Sequence, residues 1–241
     1  MNQSPILKAL SSMRTNGVRM LLMGGQACVF YGAAEFSRDL DLLVLVDGEI
    51  LGDTNLSKLQ DALSELQAAP IAIPDFRAEH LLRGHAVHFR CLRPDVDQLR
   101  IDVMSNLRGV APFEELWARR TTLEIDGQPV ELLSLPDLVL AKKTQRDKDW
   151  PMIRRLVDQS FFGHAHEPTE GEIAFWLGEL RTVESLMEAV QRWPEEALTA
   201  AGRPAVEAAL AGDYERVDNE LQAEERAERR RDREYWEPLK R

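Results

Sequence analysis

The sequence predicts a mixed α+β domain followed by an all-helical domain. Between Ser4 and about Leu133, short apolar runs alternate with helical patterns, whereas from Ser134 onward the spacing of apolar residues is helical throughout. The chain has 241 residues, of which 44% are hydrophobic, and this is enough for a core of ordinary size. We therefore expect one domain over residues 1–133 and a second over 134–241.

The composition excludes several classes of protein. Charged residues make up 29%, and 12 Pro and 14 Gly are too few for a collagen-like, low-complexity or wholly disordered chain. No apolar run is long enough to span a membrane, and residues 1–10 lack the pattern of a signal peptide, so we expect a cytoplasmic protein. Cys28 and Cys91 are isolated in apolar contexts and are expected to be reduced core thiols.

The elements of the first domain follow from the spacing of apolar residues. Residues 55–67 place apolar side chains at 56, 59, 63 and 66, which is typical of an amphipathic helix. Apolar runs bounded by glycine or polar residues predict strands over 18–23, 40–46, 86–91 and 99–104, and a hairpin of 121–125 with 129–133 around Asp126-Gly127. Other helices are expected from Ser4-Pro5, over 26–31 and over 113–120.

Only helices are expected in the second domain. The first should begin at Ser134 and run to about Lys148, and a second begins near Pro151. A third helix begins at Thr169 and continues to Trp193-Pro194. Two more helices follow. The last of them is rich in both acidic and basic side chains, and we interpret it as a solvated or packed terminal helix.

An apolar strand, two glycines and the start of a helix follow one another in residues 21–32. Gly24-Gly25 allow the backbone to turn sharply and to approach a ligand, and the first amides of the following helix favour a phosphate. An ordinary tight connection shows the same pattern. Taken alone, this segment favours that structural interpretation.

Two carboxylates, Asp39 and Asp41, stand at the start of an apolar strand. Side chains two residues apart in a strand point to the same face. Like charges so close are unfavourable unless a cation, a proton or an arginine neutralises them, and a divalent ion with its preference for oxygen ligands is the simplest solution. Chance alone produces several acidic pairs of this spacing, and the apolar context and the preceding glycines distinguish this one.

A third carboxylate, Asp102, lies within the apolar strand of residues 99–104, where it needs a partner. If that strand lies beside the strand of Asp39 and Asp41, three carboxylates surround one site. Three carboxylates and a phosphate-binding turn indicate two divalent ions that hold a nucleoside triphosphate.

One pattern combines Gly24-Gly25, thirteen further residues, Asp39-Leu-Asp41 and the distant Asp102 between apolar residues. It resembles the polymerase-β-type nucleotidyltransferase superfamily. Residues 24–44 are similar to its minimal bacterial branch, which includes nucleotidyltransferase toxins of the abortive-infection type, and 135–150 resemble the Lys-plus-Arg/Asp helix of that branch. The resemblance covers roughly residues 18–155 and implies a mixed β-sheet flanked by helices, followed by the helical domain.

The resemblance implies metal-dependent transfer of a nucleoside monophosphate from an NTP such as ATP to an acceptor hydroxyl. Asp39 and Asp41 would bind two Mg²⁺ or Mn²⁺ ions, and Asp102 would complete one ion's ligands and help to deprotonate the acceptor. The Gly24-Gly25 amides and Ser37 would hold the β- and γ-phosphates. The acceptor would be RNA such as tRNA, a protein or a small molecule, and an antitoxin-type protein is the expected partner.

Positive charge near the phosphates is expected from two places. Relatives often carry Arg four residues before the first metal-binding Asp, where this chain has Glu35, and Arg38 is the candidate replacement. On the helix after Ser134, Lys142, Arg146 and Asp149 have the spacing of one helix face. We expect Lys142 and Arg146 to contact the triphosphate and Asp149 to orient one of them, with an exposed charged face as the alternative.

Two functions of different classes compete at this point. The complete acidic triad favours an active nucleotidyltransferase, whereas Glu35 favours a non-catalytic nucleotide- or partner-binding module. The formal net charge of −11 disfavours a long nucleic-acid acceptor, although tRNA held by Arg119, Arg120 and the arginines of 229–233 stays a candidate. His85 and His88 lack companions at a zinc spacing, and we interpret them as surface or loop histidines.

Overall fold

A computed structural model of the chain describes residues 4–240. Two compact units divide the chain between Ala141 and Lys142. The helix of residues 135–141 therefore belongs to the first unit, although the sequence analysis places it in the second domain. Residues 1–3 and residue 241 lie outside the described part. The expectation that residues 1–10 are no signal peptide therefore falls partly on residues outside it.

The first unit contains a seven-stranded mixed sheet flanked by helices. Its strands are β1 (Met20–Met23), β2 (Asp39–Val44), β3 (Ala68–Pro70), β4 (Val87–Cys91), β5 (Arg100–Met104), β6 (Thr121–Ile125) and β7 (Gln128–Leu132). Its helices are α1 (Pro5–Thr15), α2 (Gly24–Phe30), α3 (Asn55–Glu65), α4 (Ala78–Leu82), α5 (Phe113–Ala118) and α6 (Leu135–Ala141). The predicted α+β class is confirmed, and the sequence analysis missed only the short elements β3 and α4 in this unit.

The strand order is β3-β4-β5-β2-β1-β7-β6. The pairs β2–β5 and β1–β7 are parallel, and the other neighbouring strands are antiparallel. Because β1 runs antiparallel to β2, its last residue Met23 lies opposite Asp41, close to the start of β2. The end of β1 and the starts of β2 and β5 therefore meet at one end of the sheet.

Alternation along β2 and β5 separates an apolar face from a polar one. Residues Leu40, Leu42, Ile101 and Val103 have no exposed surface and form the apolar face of the two strands. The intervening residues at the starts of the strands are charged and partly exposed. This pattern of period two places every charged side chain of the two strand starts on one face of the sheet.

The second unit is helical, as the sequence predicts. Its helices are α7 (Asp149–His164), α8 (Glu170–Glu179), α9 (Val183–Arg192), α10 (Pro194–Thr199), α11 (Pro204–Leu210) and α12 (Tyr214–Trp236), followed by a 3-10 turn (Glu237–Lys240). The single helix expected from Thr169 to Trp193 is wrong, because Leu180 has an extended backbone (φ −57°, ψ 133°) that separates α8 from α9. Leu180 is fully buried, so tertiary packing outweighs the local helical spacing here.

Two observations bear on expectations about the environment of the chain. None of the helices within residues 4–240 is both long enough and apolar enough to cross a membrane. Cys28 and Cys91 are fully buried thiols, which confirms the prediction that they belong to the core. Burial raises the pKa of the Cys91 thiol to about 11.

Candidate functional site

The glycine pair lies directly against the first charged strand. Gly24 begins α2 with φ +68°, and a Cβ atom there would lie 1.9 Å from Asp41 Oδ2. A Cβ atom on Gly25 would lie 2.7 Å from the Ser37 hydroxyl oxygen. Only glycine leaves room for these two side chains, so the close approach that the sequence indicates is an approach to Asp41 and Ser37.

A hydrogen bond fixes the same contact. The Gly25 amide donates to Asp41 Oδ2 at 3.3 Å, so this amide, which the resemblance assigns to a phosphate, contacts the carboxylate in the structure. The Ser37 hydroxyl donates to the Asp39 carbonyl oxygen at 3.2 Å. Hydrogen bonds thus join both the glycine turn and Ser37 to the start of β2.

The three predicted carboxylates lie on the same face of two neighbouring strands. In the parallel pairing of β2 with β5, Asp39 is in register with Arg100 and Asp41 is in register with Asp102. Residues in register on adjacent strands point to the same face of the sheet. The condition set by the sequence analysis, that the strand of Asp102 lies beside that of Asp39 and Asp41, is therefore met.

Two neighbours that the sequence analysis missed hold Asp102. Arg100 Nε donates to Asp102 Oδ1 at 2.7 Å, and His88 Nδ1 lies 2.8 Å from the same oxygen. Only 15% of the Asp102 side chain is exposed. One oxygen of the third carboxylate therefore has two protein partners. The sequence analysis expected Asp102 to be a metal ligand and did not predict these partners.

The interpretation of His88 as a surface or loop histidine is wrong. His88 lies in β4, in register with Asp102 on β5. A weak signal was present, since His88 and Arg90 alternate with apolar residues in VHFRC and so mark a polar strand face. The pairing of β4 with β5 then decides which carboxylate that face meets.

All three carboxylates affect the pKa of the Arg100 guanidinium. The hydrogen bond to Asp102 and the negative charges of Asp102, Asp39 and Asp41 raise the pKa of the Arg100 guanidinium, although partial burial acts in the opposite direction. A single guanidinium thus lies within the electrostatic reach of the whole acidic cluster. An arginine is one of the neutralising groups that the sequence analysis allows for Asp39 and Asp41, and Arg100 supplies positive charge close to them.

The remaining oxygens fit a hard divalent cation. Within residues 4–240, no three His, Cys, Asp or Glu side chains are grouped as a ready-made metal site. In the same range, the Asp39 carboxylate and Asp102 Oδ2 make no hydrogen bond, and Asp39 and Asp41 share one strand face. Mg²⁺ in proteins is often held by one or two carboxylates, with water and substrate phosphates as its other ligands. Asp39 and Asp41 fit this requirement.

The residues that precede β2 are exposed. The Arg38 guanidinium lies 6.0 Å from the ring centre of Phe36, whose surface is 70% exposed. Glu35 is also exposed. The positively charged residue nearest in sequence to Asp39 therefore stacks on a solvent-facing ring.

Lys142, Arg146 and Asp149 meet in the second unit, but the prediction that they share a helix face is wrong. Helix α6 ends at Ala141, residues 142–148 form turns, and α7 begins at Asp149. Lys142 Nζ lies 3.4 Å from Asp149 Oδ1, and Arg146 Nε donates to Oδ2 at 2.7 Å. The turn segment wraps around the first residue of α7 and brings both cations to one carboxylate.

Asp149 is a buried ionic centre. Burial by itself would raise the pKa of its carboxyl, but Lys142, Thr144 and Arg146 together hold that pKa below its ordinary value. Lys142 is only 7% exposed, so the alternative of a solvated charged face fails for this residue. The expectation that Asp149 orients one of the two cations agrees with these contacts.

Three of the arginines that were candidates for contacts with nucleic acid are paired with carboxylates. Arg119 donates to both oxygens of Asp137, at 2.7 and 2.8 Å, and Arg120 Nε donates to Glu131 at 2.6 Å. In the second unit, Arg229 pairs with Asp147 and with Glu225. Their side chains thus have structural partners within their own units.

Comparisons with known proteins add little to this geometry. Neither the models of known protein families nor the curated proteins match the sequence. Among solved structures, the chain is similar to an antigenic nucleotidyltransferase-like protein from Paracoccidioides brasiliensis. The two are 18% identical, and the match covers 86% of this chain and 91% of that chain with a TM-score of 0.43.

Proposed function

We propose that this protein is a nucleotidyltransferase, which transfers a nucleoside monophosphate from an NTP to an acceptor hydroxyl. The observation that carries the proposal is the contact of Gly24-Gly25 with Asp41 and Ser37 at the start of β2, where Asp102 lies in register on the next strand. A backbone turn without side chains thus lies beside converging carboxylates. Carboxylates placed in this way would hold the divalent counter-ion of a polyphosphate.

The residues divide the reaction between them. Asp39 and Asp41 would hold a divalent ion, which neutralises charge on the phosphates when bound. Asp102 Oδ2 accepts the proton of the acceptor hydroxyl, while His88 and Arg100 hold Oδ1 and fix the orientation of the carboxylate. The acceptor oxygen forms a bond to the α-phosphorus as the bond to the bridging oxygen breaks, and pyrophosphate leaves with the electron pair.

Contacts with the nucleotide are proposed for residues outside the acidic cluster. Ser37 and Arg38 adjoin Asp39 in the sequence, and the Arg38 guanidinium is exposed. Lys142 and Arg146 are further candidates because Asp149 fixes the position of both charges. A cation held in place loses less conformational entropy when it binds phosphate than a freely mobile one.

The acceptor and the physiological role complete the proposal. RNA such as tRNA, a protein or a small alcohol is the acceptor class, and a toxin-like role with an antitoxin-type partner follows from the resemblance of residues 24–44 to that branch. Induced expression in bacteria is expected to slow growth. The Asp39→Asn/Asp41→Asn variant should leave growth unchanged, and equal slowing by both chains contradicts a role that depends on catalysis.

Radiolabel transfer tests the chemistry. Each of the four α-³²P-labelled NTPs is supplied with Mg²⁺ or Mn²⁺, and label is followed into total tRNA, the protein itself and small alcohols. We expect transfer by the wild type and none by Asp39→Asn/Asp41→Asn. Asp95→Asn/Asp97→Asn is the matched control, because these two carboxylates have the same spacing but lie in an exposed loop. Transfer that survives the first double substitution rules the mechanism out.

A binding module without catalysis is the second candidate. It is favoured by the two protein partners of Asp102 Oδ1 and by Glu35 at the place where relatives carry Arg. In that case the wild-type chain would bind NTP in a calorimetric titration and transfer no label to any acceptor. A titration beside the transfer assay therefore separates the two functions.

A further inference from the structure

Arg100 is a positively charged residue on the same sheet face as the three carboxylates. On β5 it is in register with Asp39, and its neighbour two positions on, Asp102, is in register with Asp41. The side chain of Arg100 bends along its own strand to donate to Asp102 at 2.7 Å. It therefore shares one face of the sheet with all three carboxylates, and 37% of its side chain is exposed.

His88 closes the opposite side of Asp102. Its Nδ1 lies 2.8 Å from Asp102 Oδ1 and 3.1 Å from an Arg100 terminal nitrogen. A hydrogen bond from His88 to the ionised Asp102 carboxylate requires the ring proton on Nδ1. Oδ1 thus receives two N–H groups, one from each neighbouring residue.

A metal ion at Oδ1 would compete with these donors. A divalent ion such as Mg²⁺ binds carboxylate oxygen at about 2.1 Å and demands near-octahedral space around itself. The Nε atom of Arg100 already lies 2.7 Å from that oxygen and carries part of a full positive charge. A divalent ion on Oδ1 would lie close to the Arg100 guanidinium, and the two cations would repel each other in this partly buried site.

The charge balance leads to the same result. Asp39, Asp41 and Asp102 contribute three negative charges, and Arg100 contributes one positive charge, so two negative charges remain (−3 + 1 = −2). One divalent ion neutralises two charges, whereas a second ion would leave an excess of two positive charges before substrate binds. Arg100 thus supplies part of the positive charge that a second ion would otherwise bring.

We propose that Arg100 takes the place of one of the two divalent ions, so that this site binds a single metal ion, at Asp39 and Asp41. The inference rests on the proposed function and concerns the number of ions that the site holds. Arg100 acts as a positioning residue, since it holds Asp102 in a fixed orientation and keeps a second ion away from Oδ1.

Counting bound Mn²⁺ tests the inference. The full chain is mixed with an equimolar non-hydrolysable α,β-methylene NTP and titrated with Mn²⁺, and free Mn²⁺ is measured by its electron paramagnetic resonance signal. The protein is then separated from free nucleotide and free ions by rapid gel filtration, so that only Mn²⁺ that stays with the protein is counted. We expect one Mn²⁺ per chain at saturation for the wild type and two for Arg100→Gln. Arg100→Lys keeps the charge and should again bind one.

Arg90→Gln is the matched control. Arg90 lies on β4, in register with Arg100 on β5, but it donates a hydrogen bond to Gln98. Its loss should therefore leave one ion per chain. Two ions on the wild type, or one ion on Arg100→Gln with an unchanged melting temperature, overturns the inference and leaves label transfer as evidence for the enzyme. No bound Mn²⁺ on the wild type overturns both proposals.

Discussion

Gly24 and Asp41 are in such close contact that a methyl group on Gly24 would lie 1.9 Å from the Asp41 carboxylate oxygen Oδ2. Seventeen residues after Gly24 in the chain, the strand β2 places that carboxylate against the turn, and the Gly25 amide donates to it. The glycine turn and the acidic strand are therefore parts of one site. Four predictions follow from this and from the other contacts.

Gly24→Ala should destabilise the protein by more than the cost of placing alanine at a positive φ. Gly24 has φ +68°, and the added Cβ would overlap Asp41 Oδ2. Gly52→Ala is the matched control, because Gly52 has φ +79° but its Cβ would have no neighbour within 4 Å. We expect a loss in the free energy of unfolding of about 1 kcal/mol for the control and about 1–3 kcal/mol more for Gly24→Ala, measured in urea. Equal losses would show that Asp41 can move aside.

Asp149 should stabilise the second unit in a pH-dependent way. Its carboxyl is buried and its pKa is held below the ordinary value of 3.8, so the unfolded chain binds the proton more readily than the folded one. The stabilisation is therefore complete above about pH 5 and is lost as the pH falls below about 4. Asp149→Asn should reduce the free energy of unfolding by about 3 kcal/mol at pH 7, because Lys142 stays buried without its charge partner.

Urea unfolding of both proteins between pH 3 and pH 7 checks this. The difference between wild type and Asp149→Asn should shrink toward low pH. Asp147→Asn is the control, because Asp147 lies in the same turn segment but its side chain is almost fully exposed. Its free energy of unfolding should differ from that of the wild type by at most about 1 kcal/mol. A difference for Asp149→Asn that does not change with pH would mean that its charge is not what stabilises the fold.

Lys142→Ala should weaken nucleotide binding. Lys142 is a buried cation held by Asp149, whereas Lys148 lies in the same turn segment with an exposed side chain. If Lys142 contacts the triphosphate, its removal raises the Kd for NTP roughly tenfold or more, since hydrogen bonds to charged groups contribute about 1.5–3 kcal/mol. Calorimetric titration measures the Kd, and Lys148→Ala should match the wild type. An unchanged Kd for Lys142→Ala removes this residue from the site.

The Cys91 thiol should be inert in the folded protein. Burial raises its pKa to about 11, so only about one thiol in a thousand is ionised at pH 8. In a Cys28→Ser background, iodoacetamide should leave Cys91 unmodified at pH 8 and alkylate it completely in 6 M guanidinium, as mass spectrometry will show. Rapid alkylation of the native protein would show that this core opens.

Local features of the first unit were predictable wherever a short segment determines its own structure. Ser4 accepts a hydrogen bond from the Leu7 amide and caps α1, and Asp126 and Gly127 both have positive φ, as a tight hairpin turn of this kind requires. In contrast, β3 has the sequence AAP, which carries no strand signal, and exists because β4 pairs with it.

The candidate site divides in the same way. The two glycines and the Asp39-Leu-Asp41 pair were identified from spacing alone, because a turn and a strand of period two fix the relation between residues close in sequence. The partners of Asp102 were missed, since they depend on which strands become neighbours. The helix expected across residues 142–148 failed because the buried Asp149 draws hydrogen bonds from Lys142, Thr144 and Arg146, and local propensity cannot show this.

The amino-acid sequence by itself determined the α+β class, most strands and helices, the buried thiols and the glycine and aspartate motifs, because these depend on periodicity and backbone preference over a few residues. Only the tertiary structure decided that Arg100 and His88 hold Asp102. Strands β2 and β5 pair across about 60 residues of sequence, and β4 joins them from the other side. Such pairings are selected by the burial of whole sheet faces, and the charge that each carboxylate meets follows from that selection.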